Sequence, residues 1–145
     1  MFLILGEIAL VLVLVSTIFL PVIMKSPEFP EAGLVKCEPN AGVTYVDGYV
    51  YQGETPINGN YVAFGTSPSG QPIARIQAGP HPGYPNWQKG FFSHILSATG
   101  PRAGNWYFWI ESQAGERLSV VVPVVTTATA DPGGCQQAHI FFRKP

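Results

Sequence analysis

The sequence contains few charged residues and no cluster of one sign. Only 12% of its 145 residues are Asp, Glu, Lys or Arg, about half of the roughly 25% that is usual in soluble domains. With 8 basic and 9 acidic residues the chain is nearly neutral. Nucleic-acid binding depends on clustered Lys and Arg, so we expect no nucleic-acid partner.

The sequence also lacks the motifs by which many enzymes are recognised. No G-x-S-x-G, glycine-rich phosphate loop, H-E-x-x-H or C-x-x-C-H occurs. The acidic residues of the C-terminal hundred residues are scattered and show no paired-carboxylate spacing. We therefore expect a protein that is not an enzyme and that holds no cofactor and no metal.

A long apolar run stands at the N-terminus. Residues 2–24 contain a single charge, Glu7, and as a helix would span roughly 34 Å, enough to cross a hydrocarbon core of about 30 Å. A cleaved secretory signal has a shorter apolar region and a basic start. We therefore predict a transmembrane anchor over residues 1–24, in which residues 2–24 contact the bilayer. Glu7 either reaches the interface or pairs with a partner helix.

The orientation of this anchor rests on opposing signals. Lys25 and Lys36 follow the helix, and basic residues favour the cytoplasmic side. Two cysteines and a β-rich composition with many prolines and glycines favour the opposite side. We expect a single-pass membrane protein whose C-terminal domain is extracytoplasmic, either periplasmic or on the cell surface.

The remainder divides into a linker and one folded domain. Residues 25–42 contain three prolines and no sustained periodicity, which predicts a linker. Across residues 43–145, short apolar segments alternate with turn residues and show no helical period. The predicted strands are 43–51, 60–64, 73–77, 91–96, 105–111, 118–125 and 138–143. About seven short strands indicate an all-β, antiparallel β-sandwich.

Several segments resemble carboxypeptidase-regulatory-like domains. The opening GYVY at 48–51 followed by PINGNYV at 56–62 is similar to the family's first strand, turn and second strand. The runs GFF at 90–92 and GNWYFWI at 104–110, with the turn QAGE at 113–116, are similar to later parts in the same order. The resemblance covers about residues 43–143. It implies a transthyretin-like or Ig-like sandwich and a mostly non-catalytic role in folding, assembly or surface attachment.

The two cysteines, Cys37 and Cys135, bracket this domain. If its first and last strands lie close, they can form a disulfide, which closes a loop of about 100 residues and stabilises by up to roughly 4.7 kcal/mol. Two free thiols are the alternative for a cytoplasmic domain. A third hypothesis is that Cys135, His139 and the upstream His94 are copper ligands, as in cupredoxins, although the domain has no methionine to serve as the usual axial ligand.

The segment 79–89 is an unusual loop with three prolines. Prolines stiffen a loop and lower the entropic cost of binding. Its Tyr84 and Trp87 are candidate anchors for a protein partner, because Trp and Tyr are enriched at binding hot spots. They could also stack on a sugar, or simply cover one end of the sandwich.

A second candidate partner surface comes from the strand predicted at 105–111. Successive side chains of a strand face opposite sides. If Trp106 faces the core, Tyr107 and Trp109 face outward, and an exposed pair of that size indicates a covered surface.

Together these features predict a non-catalytic, membrane-anchored accessory or structural subunit of a larger membrane protein complex. Its partners would be integral membrane subunits, contacted through Tyr84, Trp87, Tyr107, Trp109 and Glu7. By general resemblance, a subunit with this architecture would fit a bacterial electron-transport assembly, such as the alternative complex III of filamentous phototrophs. The alternatives are a cell-surface module that binds glycan or peptide and, remotely, a copper electron carrier.

Overall fold

The computed structural model describes residues 25–145, which form two β-sheets packed face to face. The strands are β1 (Glu31–Glu38), β2 (Thr44–Gln52), β3 (Thr55–Pro56), β4 (Tyr61–Gly65), β5 (Ala74–Gln77), β6 (Phe91–Ser97), β7 (Gly104–Glu111), β8 (Val122–Thr126) and β9 (Gln137–Lys144). Between residues 25 and 145 there is no helix long and apolar enough to cross a membrane. The predicted anchor, with Glu7, lies outside the described residues.

The two sheets differ in strand direction. The four-stranded sheet has the order β5-β4-β7-β8 and is antiparallel throughout. The five-stranded sheet has the order β1-β9-β2-β3, and β6 also pairs with β2. Here β2 and β9 run parallel, in register from Tyr45 opposite Gln137 to Gln52 opposite Lys144. The prediction of an all-β sandwich is confirmed, but the expectation that all pairing is antiparallel is wrong.

Two strands were absent from the sequence prediction. Strand β1 lies inside the segment predicted as a linker, yet it pairs antiparallel with β9 along most of its length. It forms the margin of its sheet and is largely exposed, so its side chains show no buried-exposed alternation. The linker prediction is therefore wrong for Glu31–Glu38. Strand β3 has only two residues and completes a hairpin with β2.

The core lies between the two sheets. Each sheet contributes the alternate side chains of its strands: Val46, Val50, Phe92, Ile140 and Phe142 from one, and Val62, Phe108, Ile110 and Val124 from the other. Phe29, just before β1, is also fully buried, and its amide donates to the carbonyl of Leu118 at 2.9 Å. It closes the side of the sandwich where β1 and β8 approach each other.

One glycine permits the parallel pairing at the centre of the five-stranded sheet. Gly48 lies in the middle of β2, opposite Ile140 of β9. A Cβ atom at this position would overlap the backbone carbonyl of Ile140. Because any side chain would push the two strands apart, this position requires glycine.

The predicted disulfide between Cys37 and Cys135 is confirmed, with Cα atoms 5.1 Å apart and a sequence separation of 98. It joins the end of β1 to the segment that leads into β9. The adjacent Gln136 is fully buried. Its side-chain amide donates to the carbonyls of Thr127 and Thr129, each at 2.9 Å, so that the loop before β9 is held at both ends.

Removing this disulfide should destabilise the domain. We expect the double variant Cys37→Ala/Cys135→Ala to lose about 3 kcal/mol of unfolding free energy, because the unfolded chain regains the entropy of a loop of about 100 residues. The measurement is urea-induced unfolding of the full chain in detergent micelles, followed by tryptophan fluorescence. Wild type treated with a reductant is the matched control and should unfold at the same urea concentration. A loss below about 1 kcal/mol would contradict the role assigned to the bridge.

Candidate functional site

The side of the five-stranded sheet that faces away from the core carries an aromatic surface, which we call the outer face. Because Val46 and Val50 face the core, the intervening side chains of β2 face outward. Pairing with β1, β6 and β9 aligns the outward side chains of those strands beside them. The outer face consists of Val35, Tyr45, Asp47, Tyr49, Tyr51, Phe91, Ile95, His139 and Phe141.

The rings of the outer face form a continuous patch. The ring centroid of Tyr49 lies 5.5 Å from that of Phe91 and 6.1 Å from that of Tyr51. The guanidinium carbon of Arg143 lies 5.3 Å from the ring centroids of both Tyr51 and Phe141. The rings are half-buried against one another, so each still presents apolar area to solvent.

A polar pair stands at the centre of the outer face. Asp47 and His139 are opposite each other in the parallel register, and the Oδ1 of Asp47 accepts a hydrogen bond from the Nδ1 of His139. Burial raises the pKa of Asp47, and the nearby His139 opposes that rise. The pair offers a hydrogen-bonding centre at a fixed point within an aromatic surface, a combination typical of docking surfaces.

Ion pairs border the aromatic patch on the β1 side. The Nζ of Lys36 lies 3.2 Å from the carboxylate of Glu38, and Arg143 lies 3.2 Å from Glu31. The hydrogen bond from Lys36 is the main cause that lowers the pKa of Glu38. These exposed pairs contribute little to stability. They give the aromatic patch a polar rim on its β1 side, as at the margins of protein–protein interfaces.

The loop at 79–89 extends the outer face on the side of β6. The rings of Tyr84 and Trp87 stack at 4.3 Å with an interplanar angle of 16°, and the edge of Trp87 meets Phe91 at 5.2 Å. The hydroxyl of Tyr49 is 2.5 Å from the Oε1 of Gln88. Tyr84 is 47% exposed, whereas Trp87 is half-buried. The structure therefore brings these two predicted site residues to one side of the outer face.

The prediction of an exposed Trp109 is wrong. Trp109 is 2% exposed, and its indole nitrogen donates to Glu111 at 3.1 Å. The guanidinium of Arg117 covers the ring at 4.1 Å from its centroid and donates to the carbonyl of Pro68 at 2.5 Å. Arg117, from the turn after β7, thus shields Trp109 from solvent on the outward side of the four-stranded sheet. Tyr107 is half-buried on that sheet and is not part of the outer face.

The three predicted copper ligands are not brought together. The sulfur of Cys135 is bonded to Cys37 and supplies no thiolate. His94 faces the core, whereas His139 lies on the outer face and is bonded to Asp47. Within residues 25–145 no group of three His, Cys, Asp or Glu side chains is placed to hold a metal ion.

His94 is instead a buried structural residue. Its Nε2 lies 2.8 Å from the carbonyl oxygen of Val62, so the neutral ring donates a hydrogen bond that links the two sheets. The ring also meets Phe64 edge-on at 4.8 Å. Burial lowers the pKa of His94 from 6.5 to about 4.

The stability of the domain should depend on the protonation of His94. Its pKa is lower in the folded chain, so the unfolded chain binds the proton more tightly, and stability falls as the pH drops from 6.5 towards 4. The shift corresponds to about 3 kcal/mol. The variant His94→Gln keeps a donor for Val62 and removes the titration. We expect its unfolding free energy, measured from pH 7 to pH 4, to fall less than that of wild type; parallel curves would contradict this assignment.

Most residues of the outer face were missed at the sequence level. Tyr45, Asp47, Tyr49 and Tyr51 occupy alternate positions of one predicted strand, and this pattern could have shown an aromatic side opposite the core. The proximity of Asp47 to His139 had no such signal, because it depends on pairing between strands that are far apart in the chain.

Comparison with known proteins assigns this chain to no family. No family model matches it, and no curated protein is significantly similar. Among solved structures, it is similar to the dioxygenase domain of a dioxygenase and carbohydrate-binding protein fusion from the cellulolytic bacterium Streptomyces sp. SirexAA-E. The identity is 15% and the TM-score 0.34, over 83% of this chain and 90% of that chain. A likeness at this level carries no argument about fold or activity.

Proposed function

We propose that this chain is a non-catalytic accessory subunit of a membrane protein complex, and that its domain docks a partner subunit through the outer face. The observation that carries the proposal is an aromatic patch with a central Asp47–His139 pair and a rim of ion pairs. Aromatic residues are enriched in protein interfaces, which surround a desolvated centre with a polar rim.

The disulfide supports the proposed extracytoplasmic location. Disulfides persist in oxidising compartments and are rare in the cytosol. The bridge between Cys37 and Cys135 therefore favours a periplasmic or cell-surface domain over the orientation that the basic residues after the apolar run would favour.

The course of the chain supports a position beside a membrane-embedded partner. Residues Lys25 to Glu28 lie against Glu116 and Leu118, at the opposite end of β1 from Cys37. An anchor over residues 1–24 would hold this end of the sandwich towards the bilayer. The strands of the outer face would then run away from the membrane and stand beside the neighbouring subunit.

We further propose that the sandwich is of the Ig-like or transthyretin-like type found in carboxypeptidase-regulatory-like domains. The segments that carry this resemblance fall on β2, β4, β6 and β7, in the expected order. This type agrees with a role in assembly. A bacterial electron-transport assembly of the alternative complex III type stays our candidate for the complex.

The proposal is tested with two matched valines. Val35 is 65% exposed on the outer face, and Val125 is 61% exposed on the other sheet. Native membranes would be solubilised in mild detergent and the chain followed on native gels. We expect wild type and Val125→Glu to migrate in a large assembly and Val35→Glu to migrate alone, because a charge placed within the docking surface must be desolvated when the partner binds. Migration of wild type alone, or of Val35→Glu within the assembly, would sink the proposal.

Glycan binding is a second candidate, favoured by one observation. The ring of Tyr84 is stacked on Trp87 and is nevertheless 47% exposed, as a stacking platform for a sugar requires. If this function applies, Tyr84→Ala should abolish binding to a glycan array, while Val35→Glu leaves it unchanged. Absence of glycan binding by wild type would dismiss this candidate and leave the docking proposal unaffected.

A further inference from the structure

We infer that the free edge of β6 accepts an extended segment of the partner protein as an added β-strand. The inference rests on the proposed function for the existence of a partner, but it names a different contact, the backbone edge of β6, which adjoins the outer face at Phe91 and Ile95. Strand β6 lies at the margin of the five-stranded sheet and pairs only with β2 among the described strands.

Two backbone hydrogen bonds show which groups of β6 point away from β2. The carbonyl of Gly90 accepts from the amide of Val50 in β2 at 2.9 Å. The carbonyl of the next residue, Phe91, accepts from the amide of Gly79 on the opposite side at 2.8 Å. Because alternate residues of an antiparallel strand bond to opposite sides, the backbone groups of Ser93 and Ile95 also point away from β2.

Among the described residues, the backbone groups of this edge without a hydrogen-bond partner are confined to a short stretch. The amide of Phe91 donates to the carbonyl of Gln88 at 3.1 Å, so the loop at 79–89 covers the start of the edge. Within residues 25–145, no group forms a hydrogen bond with the outward backbone of Ser93 or Ile95. Two donors and two acceptors therefore stand at the spacing that an added strand satisfies.

This edge lacks the charged residues and prolines that protect other sheet edges against pairing. Proteins guard sheet edges with charges, prolines and bulges. Among the other marginal strands, β1 carries Lys36 and Glu38, β5 carries Arg75, and β8 carries Pro123. Strand β6 contains neither a charged residue nor proline, and its register irregularity against β2 falls at the end of the strand, between Ile95 and Ser97. Ile95 is 63% exposed. An unguarded edge of this kind suits a strand that pairs with another chain.

The neighbouring surface indicates the chemistry of the added segment. A groove beside β6 is lined by Ile76, Trp87, His94 and Ile95, among others, with no charged side chain. The outer side of the same edge presents Ile95 to solvent. We therefore expect an uncharged, extended segment with aliphatic residues at alternate positions, one side of which fills this groove.

A segment of a different protein fits this edge better than a second copy of the chain. Strand β6 runs from Phe91, near the end that carries Lys25, towards the end that carries the disulfide. Antiparallel pairing of two β6 edges would place the two Lys25 ends on opposite sides. Two copies anchored in one membrane cannot adopt that arrangement, whereas an extended partner segment can run in either direction.

The test uses synthetic peptides and the full chain in detergent micelles. The probes are labelled ten-residue peptides that alternate Thr with Val or Ile and carry Lys at both ends, measured by fluorescence anisotropy. We expect binding to wild type and a loss of affinity of at least tenfold for Ser93→Pro, which removes one outward donor. Ile95→Lys, at an exposed position, should give a similar loss. Val125→Lys, on β8, should bind like wild type.

Two further readouts separate strand addition from general stickiness. A peptide whose two central residues are replaced by proline should not bind, because it lacks amide donors on both edges. On adding the unmodified peptide, the amides of Ser93 and Ile95 should become protected from hydrogen exchange, while those of Phe92 and His94 are protected throughout.

The inference is overturned if wild type binds none of these peptides, or if Ser93→Pro and Ile95→Lys leave the affinity unchanged. Its failure is distinguishable from failure of the proposed function. If no peptide binds but Val35→Glu releases the chain from the assembly, docking through the outer face stands and the edge site does not. If peptides bind at β6 but Val35→Glu stays in the assembly, the edge site stands and docking through the outer face does not.

Discussion

The parallel pairing of β2 with β9 is the interaction on which the rest of the structure depends. It joins two segments about ninety residues apart and places both in the middle of the five-stranded sheet. Gly48 permits it, since a side chain there would collide with the backbone of Ile140. Non-local contacts of this kind are slow to form but commit the whole topology once made. The pairing leaves β1 at one margin of the sheet, and β6 with the two-residue β3 at the other.

The outer face follows from the same pairing. In the parallel register Asp47 meets His139 and Tyr49 meets Phe141, so the polar pair and the aromatic patch are assembled from both strands at once. The disulfide then fixes β1 and the start of β9 against each other at one end. A partly buried carboxylate with a raised pKa is retained at the centre of this surface. Partial burial of this carboxylate costs stability, and buried polar groups of this kind specify orientation more than they stabilise.

Features that depend on neighbouring residues in the sequence, such as the positions of most strands, could be predicted. Alternating apolar residues separated by glycine and proline turns located seven of the strands, although the last apolar run before residue 126 begins its strand only at Val122. The disulfide was predictable because its cysteines bracket the domain. Strand β1 was not, since a marginal strand held by backbone pairing needs no buried side chains. The parallel direction of β9 was not predictable either, because no local signal encodes the strand on which a segment pairs.

The error at Trp109 shows that the outward sides of the two sheets are covered in different ways. The outward side chains of a strand can be covered by other residues of the same chain. In β7, the guanidinium of Arg117 and the carboxylate of Glu111 cover the indole of Trp109. Glu111 in turn binds Arg75 at 3.3 Å. On the four-stranded sheet, three of the chain's few charged side chains, Arg75, Glu111 and Arg117, therefore surround Trp109. On the five-stranded sheet the ion pairs lie on the β1 side, and the rings beside the Asp47–His139 pair remain partly exposed. With so few charges in the chain, this unequal placement covers Trp109 on the four-stranded sheet and leaves the rings of the outer face partly exposed.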